Sequence, residues 1–191
     1  MYYRRFLLLS VCLACAAATA QDARSGTSTS KITNEFIQRQ FGSTCTLIEG
    51  QAPMFADMDG DGVEDLVVAA KCVNPMADQA EHNFVVLDPY YDFFGYGNPK
   101  ITSSFAADDP ADKGKVVLVI HGSGPEAWYS PKAKFALINL SFKQVSVKKL
   151  AMKKKKIEAI YTEETGADQF VAVIFWDGKK YKYEPMGSSL E

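Results

Sequence analysis

Histidine and cysteine are scarce in this chain of 191 residues, which contains two histidines and four cysteines. Transition-metal clusters need several of these side chains at short, regular spacings, and the sequence contains no such spacing. It also contains no Gly-x-x-x-x-Gly-Lys phosphate loop and no Gly-x-Ser-x-Gly nucleophile motif. These absences argue against the commonest metal-dependent, nucleotide-dependent and serine-dependent catalytic sites.

An apolar run long enough to span a membrane is also lacking. The stretch at residues 6–17 is apolar and follows the basic Arg4 and Arg5, but it is shorter than the roughly 20 residues that a spanning helix needs. Residues 18–20 then match the small-x-small pattern of a cleavage site. We therefore predict a signal peptide at residues 1–20 and export to the periplasm or the medium, with no transmembrane segment in the mature chain.

Two of the four cysteines fall inside this segment. A lipoprotein signal lipidated at Cys15 is the alternative interpretation, although Cys12 stands where such signals carry an aliphatic residue. The mature chain keeps Cys45 and Cys72, which we expect to form a disulfide in an oxidising compartment. The bridge would span the acidic residues 57–65 and tie the two flanks of that segment together. It would close a loop of about 28 residues and contribute about 3–4 kcal/mol. Two buried free thiols are the alternative.

Charge gives little indication of a nucleic-acid partner. The formal net charge is −2, and the lysine-rich C-terminal part contains too little arginine for a nucleic-acid-binding face. The four lysines at residues 153–156 are typical of a solvated turn between strands.

The domain organisation follows from composition and hydrophobic spacing. Residues 21–30 are rich in Ser and Thr and predict a disordered leader. Residues 31–191 predict a single β-rich domain, beginning with a short helix at residues 33–42 that Thr33 caps and Gly42 ends.

Short apolar or alternating runs separated by turn residues follow the helix, and each predicts a β-strand. They lie at residues 66–72, 83–87, 116–120, 135–140, 144–150, 157–161, 170–176 and 179–184. Asp177 and Gly178 predict a two-residue hairpin turn between the last two. The fold class is mainly β: an antiparallel β domain, either a sandwich or blade-like sheets, with one short N-terminal helix.

The densest chemical signal is the acidic loop at residues 57–65, whose sequence is DMDGDGVED. Oxygen ligands at this density suit a hard cation such as Ca²⁺. The loop begins like an EF-hand but departs from it, because Glu64 stands at the apolar eighth position and Val68 at the bidentate twelfth. The residues instead indicate a tighter loop with Asp65 closing the shell. The predicted ligands are the carboxylates of Asp57, Asp59, Asp61 and Asp65 and the backbone oxygen of Val63.

This Asp-x-Asp-Gly-Asp-Gly-x-x-Asp pattern resembles the calcium loop of FG-GAP and VCBS-type repeats. Phe55 and Ala56 before it and the apolar residues 66–68 after it match the strand–loop–strand setting of those repeats. The resemblance implies a structural Ca²⁺ ion as cofactor. The family forms propellers from several copies, whereas this chain has one good copy, as do small exported bacterial proteins of uncharacterised function.

An aromatic segment at residues 88–99, whose prolines and glycines predict a loop, is the candidate partner surface. Large amphipathic rings on a surface suit protein or carbohydrate partners, although the same segment could instead fill the edge of the core. The residues are Tyr90, Tyr91, Phe93, Phe94 and Tyr96, with Trp128 from a later turn.

Two functions remain compatible with these patterns. The first is an exported, Ca²⁺-stabilised, non-catalytic module that binds a protein or carbohydrate partner or serves the cell envelope. The alternative is a secreted hydrolase that uses loop carboxylates, such as Glu163 or Glu164 with Asp168. His121 precedes a Gly-rich turn, and we interpret it as the end of a strand, since the other motifs of an α/β-hydrolase are missing.

Overall fold

The computed structural model describes residues 32–95, 112–153, 155–163 and 170–188. Within these ranges the helices are α1 (Asn34–Phe41), α2 (Pro75–Asp78) and α3 (Pro89–Phe94), with a 3₁₀ segment at Gly124–Tyr129. The strands of the first half are β1 (Cys45–Leu47), β2 (Met54–Ala56), β3 (Asp65–Cys72), β4 (Val85–Leu87) and β5 (Lys115–Gly122). Those of the second half are β6 (Pro131–Leu137), β7 (Gln144–Ala151), β8 (Lys156–Glu163), β9 (Phe170–Trp176) and β10 (Tyr181–Ser188).

The strands form two sheets. The first has the order β1-β3-β5-β6-β4, with β2 pairing to a second stretch of β3. The second has the order β10-β9-β8-β7 and is antiparallel throughout. The mainly β prediction is confirmed. One pairing departs from the antiparallel expectation, because β4 runs parallel to β6.

The central strands of the first sheet, β3 and β5, are buried on both faces, which explains their nearly continuous apolar sequences. Alternate residues such as Leu66 and Leu118 pack against α1 on one face. Their neighbours, including Val67 and Val119, pack against Ile174 and other residues of the second sheet. The two sheets therefore form a sandwich, and the N-terminal helix covers its outer face.

The predicted N-terminal helix is confirmed as α1. The Thr33 side chain accepts a hydrogen bond from Phe36 N, and the helix ends at Gly42, whose φ is 104°. Phe36, Ile37 and Phe41 are buried. A helix this short gains most of its stability from that apolar contact rather than from its own hydrogen bonds.

The last hairpin differs from the two-residue turn that the sequence predicts. Trp176 pairs with Tyr181, so the connection contains the four residues 177–180. Asp177 Oδ1 accepts hydrogen bonds from the backbone amides of Lys179 at 2.8 Å and Lys180 at 2.9 Å. This side-chain cap satisfies two backbone amides of a four-residue turn. The Asp-Gly pair therefore indicated the position of the turn but not its length.

The predicted disulfide joins Cys45 to Cys72. These residues are direct partners in the β1–β3 register, with their Cα atoms 4.1 Å apart. Cys72 ends β3 and Asp65 begins it, so the bridge and the acidic loop lie at opposite ends of that strand, about 23 Å apart. The bridge therefore does not tie the flanks of the loop together, as the sequence suggested, but fastens the far end of the sheet.

Some sequence predictions concern residues outside the described ranges. The signal peptide and the leader at residues 21–30 are among them. No helix among the described residues has the length and apolar character needed to cross a membrane.

Candidate metal centre

The acidic loop connects two paired strands. β2 ends at Ala56 and β3 begins at Asp65, and these two residues are partners in an antiparallel ladder. The loop is thus the tip of a β-hairpin whose second strand runs through the core of the first sheet. This is the strand–loop–strand setting expected from the sequence, and it fixes the ends of the loop relative to each other.

The carboxylate of Asp57 organises the backbone of the loop. Its Oδ1 accepts hydrogen bonds from Gly60 N at 2.8 Å and Asp61 N at 3.0 Å, and its Oδ2 accepts one from Gly62 N at 2.8 Å. Gly60 and Gly62 have φ values of 80° and 86°, which side chains larger than hydrogen adopt at a cost. The two glycines therefore allow the chain to wrap around one carboxylate.

Three carboxylates converge inside this wrapped loop. Oxygen atoms of Asp57, Asp59 and Asp61 lie within 4.8 Å of one another. Asp61 Oδ1 also accepts a hydrogen bond from Val63 N at 2.8 Å. Like charges at this separation repel one another unless a cation or hydrogen-bond donors compensate them.

A lysine from a different hairpin supplies part of that compensation. Lys132 Nζ, on β6, lies 2.7 Å from Asp59 Oδ2 and also contacts Asp61 Oδ2. The hydrogen bond from Lys132 lowers the pKa of Asp61 below its ordinary value. Burial would lower the pKa of Lys132, but the two carboxylates raise it overall. Asp61 and Lys132 therefore both remain charged at neutral pH.

Asp65 occupies a different environment. Its side chain is completely buried, with Oδ2 accepting a hydrogen bond from Met58 N at 2.8 Å and Oδ1 one from Gly122 N at 2.7 Å. Burial raises the pKa of Asp65 to about 6, although the two amide hydrogen bonds act in the opposite direction. Asp65 thus holds the base of the loop against the end of β5.

His121 forms the floor beneath the loop. Its Nδ1 lies 3.2 Å from Asp59 Oδ2 and its Nε2 lies 2.7 Å from the hydroxyl of Tyr181. Burial lowers the pKa of His121 to about 4 and raises the pKa of Tyr181 well above its ordinary value. A carboxylate can only accept a hydrogen bond, so the neutral ring carries its proton on Nδ1 and accepts the tyrosine hydroxyl at Nε2.

The structure thus divides the predicted ligand set. It brings the side chains of Asp57, Asp59 and Asp61 together, whereas Asp65 groups with Asp59 and His121 in a second cluster within 4.8 Å. These acidic clusters could hold a metal ion. The chemistry of the first cluster fits a hard cation, because its donors are carboxylate oxygens and its loop is partly exposed.

Sequence reasoning missed Lys132 and the contact of His121 with the loop. Both residues reach the loop through strand pairing: Leu66 pairs with Ile120 between β3 and β5, and Ile120 pairs with Lys134 between β5 and β6. The position of His121 at the end of an apolar strand could have indicated a buried histidine near a loop. Nothing in the local sequence distinguishes Lys132 from the other lysines.

The described part of the aromatic segment, Pro89–Phe94, is helical rather than a loop. Asp88 caps α3 by accepting a hydrogen bond from Tyr91 N at 2.9 Å, and Gly95 ends the helix in the left-handed region. The rings of Tyr90 and Phe93 pack on Tyr183 of β10, with centroids 5.3 and 5.6 Å away. The proline that suggested a loop stands in the first turn of α3, where a missing amide hydrogen costs little.

The candidate partner surface is therefore only partly as predicted. Phe93 is 48% exposed and Phe94 is 46% exposed, while Tyr90 and Tyr91 are half-buried. Trp128 is buried and packs between Phe36 and Phe55, so its assignment to a surface was wrong. The Gly-rich turn that follows β5 carries Trp128 back into the core.

Residues 96, 164 and 168 (Tyr96, Glu164 and Asp168) lie outside the described ranges. The structure accordingly says nothing of the proposed carboxylate pair or of the last aromatic residue. Comparison with models of protein families, with curated proteins and with solved structures finds no match to this chain.

Proposed function

We propose that this chain is an exported, non-catalytic module whose first hairpin loop binds a structural Ca²⁺ ion. Its loop would then be a single FG-GAP or VCBS-like calcium repeat, as its motif spacing suggests. The convergence of Asp57, Asp59 and Asp61 within 4.8 Å is the observation that carries the proposal. The Cys45–Cys72 disulfide supports export, since such bridges persist in oxidising compartments.

Asp57, Asp59 and Asp61 would provide the side-chain ligands, and the Val63 carbonyl and Asp65 remain the proposed additional ligands. Each oxygen of Asp65 already accepts one backbone hydrogen bond, which leaves one lone pair on each for coordination. Bound Ca²⁺ would neutralise the repulsion between the carboxylates. The ion's role here is structural, because it would fix the hairpin tip.

Calcium fits the donor set better than magnesium does. Ca²⁺ accepts six to eight oxygen ligands in irregular geometry, whereas Mg²⁺ requires near-ideal octahedral geometry and retains its water. The carboxylate of Asp57 is oriented by three backbone amides, so the loop cannot rearrange around a small ion without breaking them. We therefore expect the loop to bind Ca²⁺ more tightly than Mg²⁺.

Titration calorimetry with Ca²⁺ and with Mg²⁺ tests the cation site. We expect the double substitution D59N/D61N to weaken Ca²⁺ binding at least about tenfold, because two charged ligands are lost. The double substitution E49Q/E184Q is the matched control, since it removes two exposed carboxylates elsewhere. Equal Ca²⁺ affinity in both variants would refute the site.

The partner-binding part of the proposal rests on α3. Phe93 and Phe94 expose nearly half of their surface side by side, as residues that contact a protein or a sugar ring do. The substitution F93S/F94S should abolish binding to such a partner and destabilise the fold less than Y90S does. Y90S is the contrasting variant, because Tyr90 is half-buried against Tyr183 whereas Phe93 and Phe94 are nearly half exposed. Binding can be followed on a glycan array and on intact bacterial cells, and stability by thermal unfolding.

A further inference from the structure

A cleft of about 420 Å³ opens at one end of the sandwich. One wall is the acidic loop, and the other walls are the facing ends of β7 and β8 with Lys155, and the β9–β10 turn. Lys149, Lys155 and Lys156 line it together with Trp176. Its volume lies in the range of small-ligand sites, which is roughly 300–1,000 Å³.

Most of the carboxylates that line the cleft are already compensated. Asp57 accepts three backbone amides, and Asp177 accepts two. Asp59 contacts both Lys132 and His121. These contacts therefore reduce the repulsion that the carboxylates would exert on an anionic ligand.

The lysines of the cleft, in contrast, lack such compensating contacts with the described residues. Lys149, Lys155 and Lys156 are exposed, and none of them forms an ion pair with a carboxylate in the described ranges. Glu158 also lines the cleft and stands directly opposite Lys149 in the β7–β8 register. Such cross-strand neighbours have Cβ atoms about 5 Å apart. Glu158 can offset one lysine, and the other two remain available.

We propose that this cleft binds a small anionic ligand through a carboxylate or phosphate group held by the three lysines. The half-buried Trp176 provides an adjacent apolar wall, its ring packed against His121 and Tyr181. The site goes beyond the proposed cation site and does not require it, since the lysines carry the charge. Cation binding in the loop would add positive charge beside the cleft and strengthen the same preference.

Three probes test the ligand class by calorimetry at low ionic strength: galacturonate, glucose 6-phosphate and glucose. The charged sugars should bind and glucose should not, and their relative affinities distinguish a carboxylate site from a phosphate site. Each titration is run in EGTA and in Ca²⁺. If a charged sugar still binds in EGTA, its site is independent of the cation site. Absence of the cation site would instead appear as absence of Ca²⁺ binding when Ca²⁺ itself is titrated.

The substitution K149Q/K155Q/K156Q should weaken binding of the charged probe at least about tenfold. The control K71Q/K113Q/K143Q removes the same charge at the far end of the sandwich. Lys71 pairs with Lys115 near the disulfide end, and Lys143 lies beside Glu163 at the other end of β8. This control should bind the probe within about twofold of the unsubstituted chain, since exposed charges beyond a Debye length of about 10 Å are largely screened.

E158Q gives a test with the opposite sign. Removing the carboxylate opposite Lys149 should tighten binding about two- to fivefold, because Lys149 is then released to the ligand. This variant retains the shape of the side chain and keeps the proposal falsifiable if the triple variant fails to fold. The proposal is overturned if neither charged sugar binds, if both lysine triples lose affinity equally, or if E158Q weakens binding.

Discussion

Lys132 Nζ lies 2.7 Å from Asp59 Oδ2, although the two residues belong to different parts of the first sheet. The same ammonium contacts Asp61, so it occupies the position in which a cation would compensate both carboxylates. We infer that the lysine and a metal ion compete for this position. The contact therefore links the stability of the metal-free loop to its affinity for Ca²⁺.

Replacing this lysine should separate the two effects. K132M is expected to destabilise the metal-free protein by about 1 kcal/mol, since a partly exposed ion-pair network is lost. It should also raise the apparent affinity for Ca²⁺ about tenfold, because no ammonium has to be displaced. Urea unfolding in EGTA and calorimetric titration measure the two quantities, with K71M as the control. Weaker Ca²⁺ binding by K132M would contradict the competition.

Gly122 should be intolerant of any side chain. A Cβ at this position would lie 2.4 Å from the backbone carbon of Ala127 and 2.6 Å from the carbonyl oxygen of Glu64. Its amide donates to Asp65 Oδ1, so displacement would also remove one of the two hydrogen bonds that this buried carboxylate accepts. We expect G122A to lose about 2–4 kcal/mol of unfolding free energy.

The comparison for this loss is G124A. A Cβ on Gly124 meets nothing within 4 Å, although its φ is 60°, so the cost should be about 1 kcal/mol. Urea unfolding of both variants gives the difference. Equal losses would show that the close approach at Gly122 costs no more than the left-handed backbone at Gly124.

Asp65 and His121 should give opposite pH dependences of stability. The pKa of Asp65 is raised to about 6 in the folded state, so its favourable contribution is complete below the unfolded value of about 3.9 and is lost as the pH rises through 6. The pKa of His121 is lowered to about 4. Its contribution is complete above the unfolded value of about 6.5 and is lost as the pH falls through 4.

The two contributions nearly cancel in the unsubstituted protein between about pH 4 and pH 6.5. In D65N only the histidine remains, so the melting temperature in EGTA should fall as the pH is lowered across this window. In H121Q only the carboxyl remains, and the melting temperature should rise over the same change. Differential scanning fluorimetry across the pH range measures all three slopes. Parallel curves for the two variants would show that the groups do not titrate as described.

Local sequence predicted those features that depend on neighbouring residues. The apolar runs located β3 and β5, the Thr33 cap located α1, and the alternation of Asp and Gly located the hairpin tip. The pairing of Cys45 with Cys72 followed from their number alone. Each of these predictions needed only a short stretch of chain or a count.

The features that depend on sheet register could not be predicted in the same way. Lys132 reaches Asp61 across 71 positions of sequence, and the amide of Gly122 reaches Asp65 across 57. Neither contact can be predicted from a local sequence pattern, because such a pattern does not specify the order of the strands. The burial of Trp128 was missed for the same reason, because its neighbours Phe36 and Phe55 come from an earlier helix and strand.

Thermal unfolding in Ca²⁺ and in EGTA tests the central claim most directly. A ligand at one hundred times its Kd stabilises the folded state by about 2.7 kcal/mol, which for a domain of this size corresponds to a rise of about 5–10 °C in melting temperature. We expect that rise in the unsubstituted protein and its loss in D57N/D59N/D61N. Identical melting curves of the unsubstituted protein in Ca²⁺ and in EGTA would contradict the account.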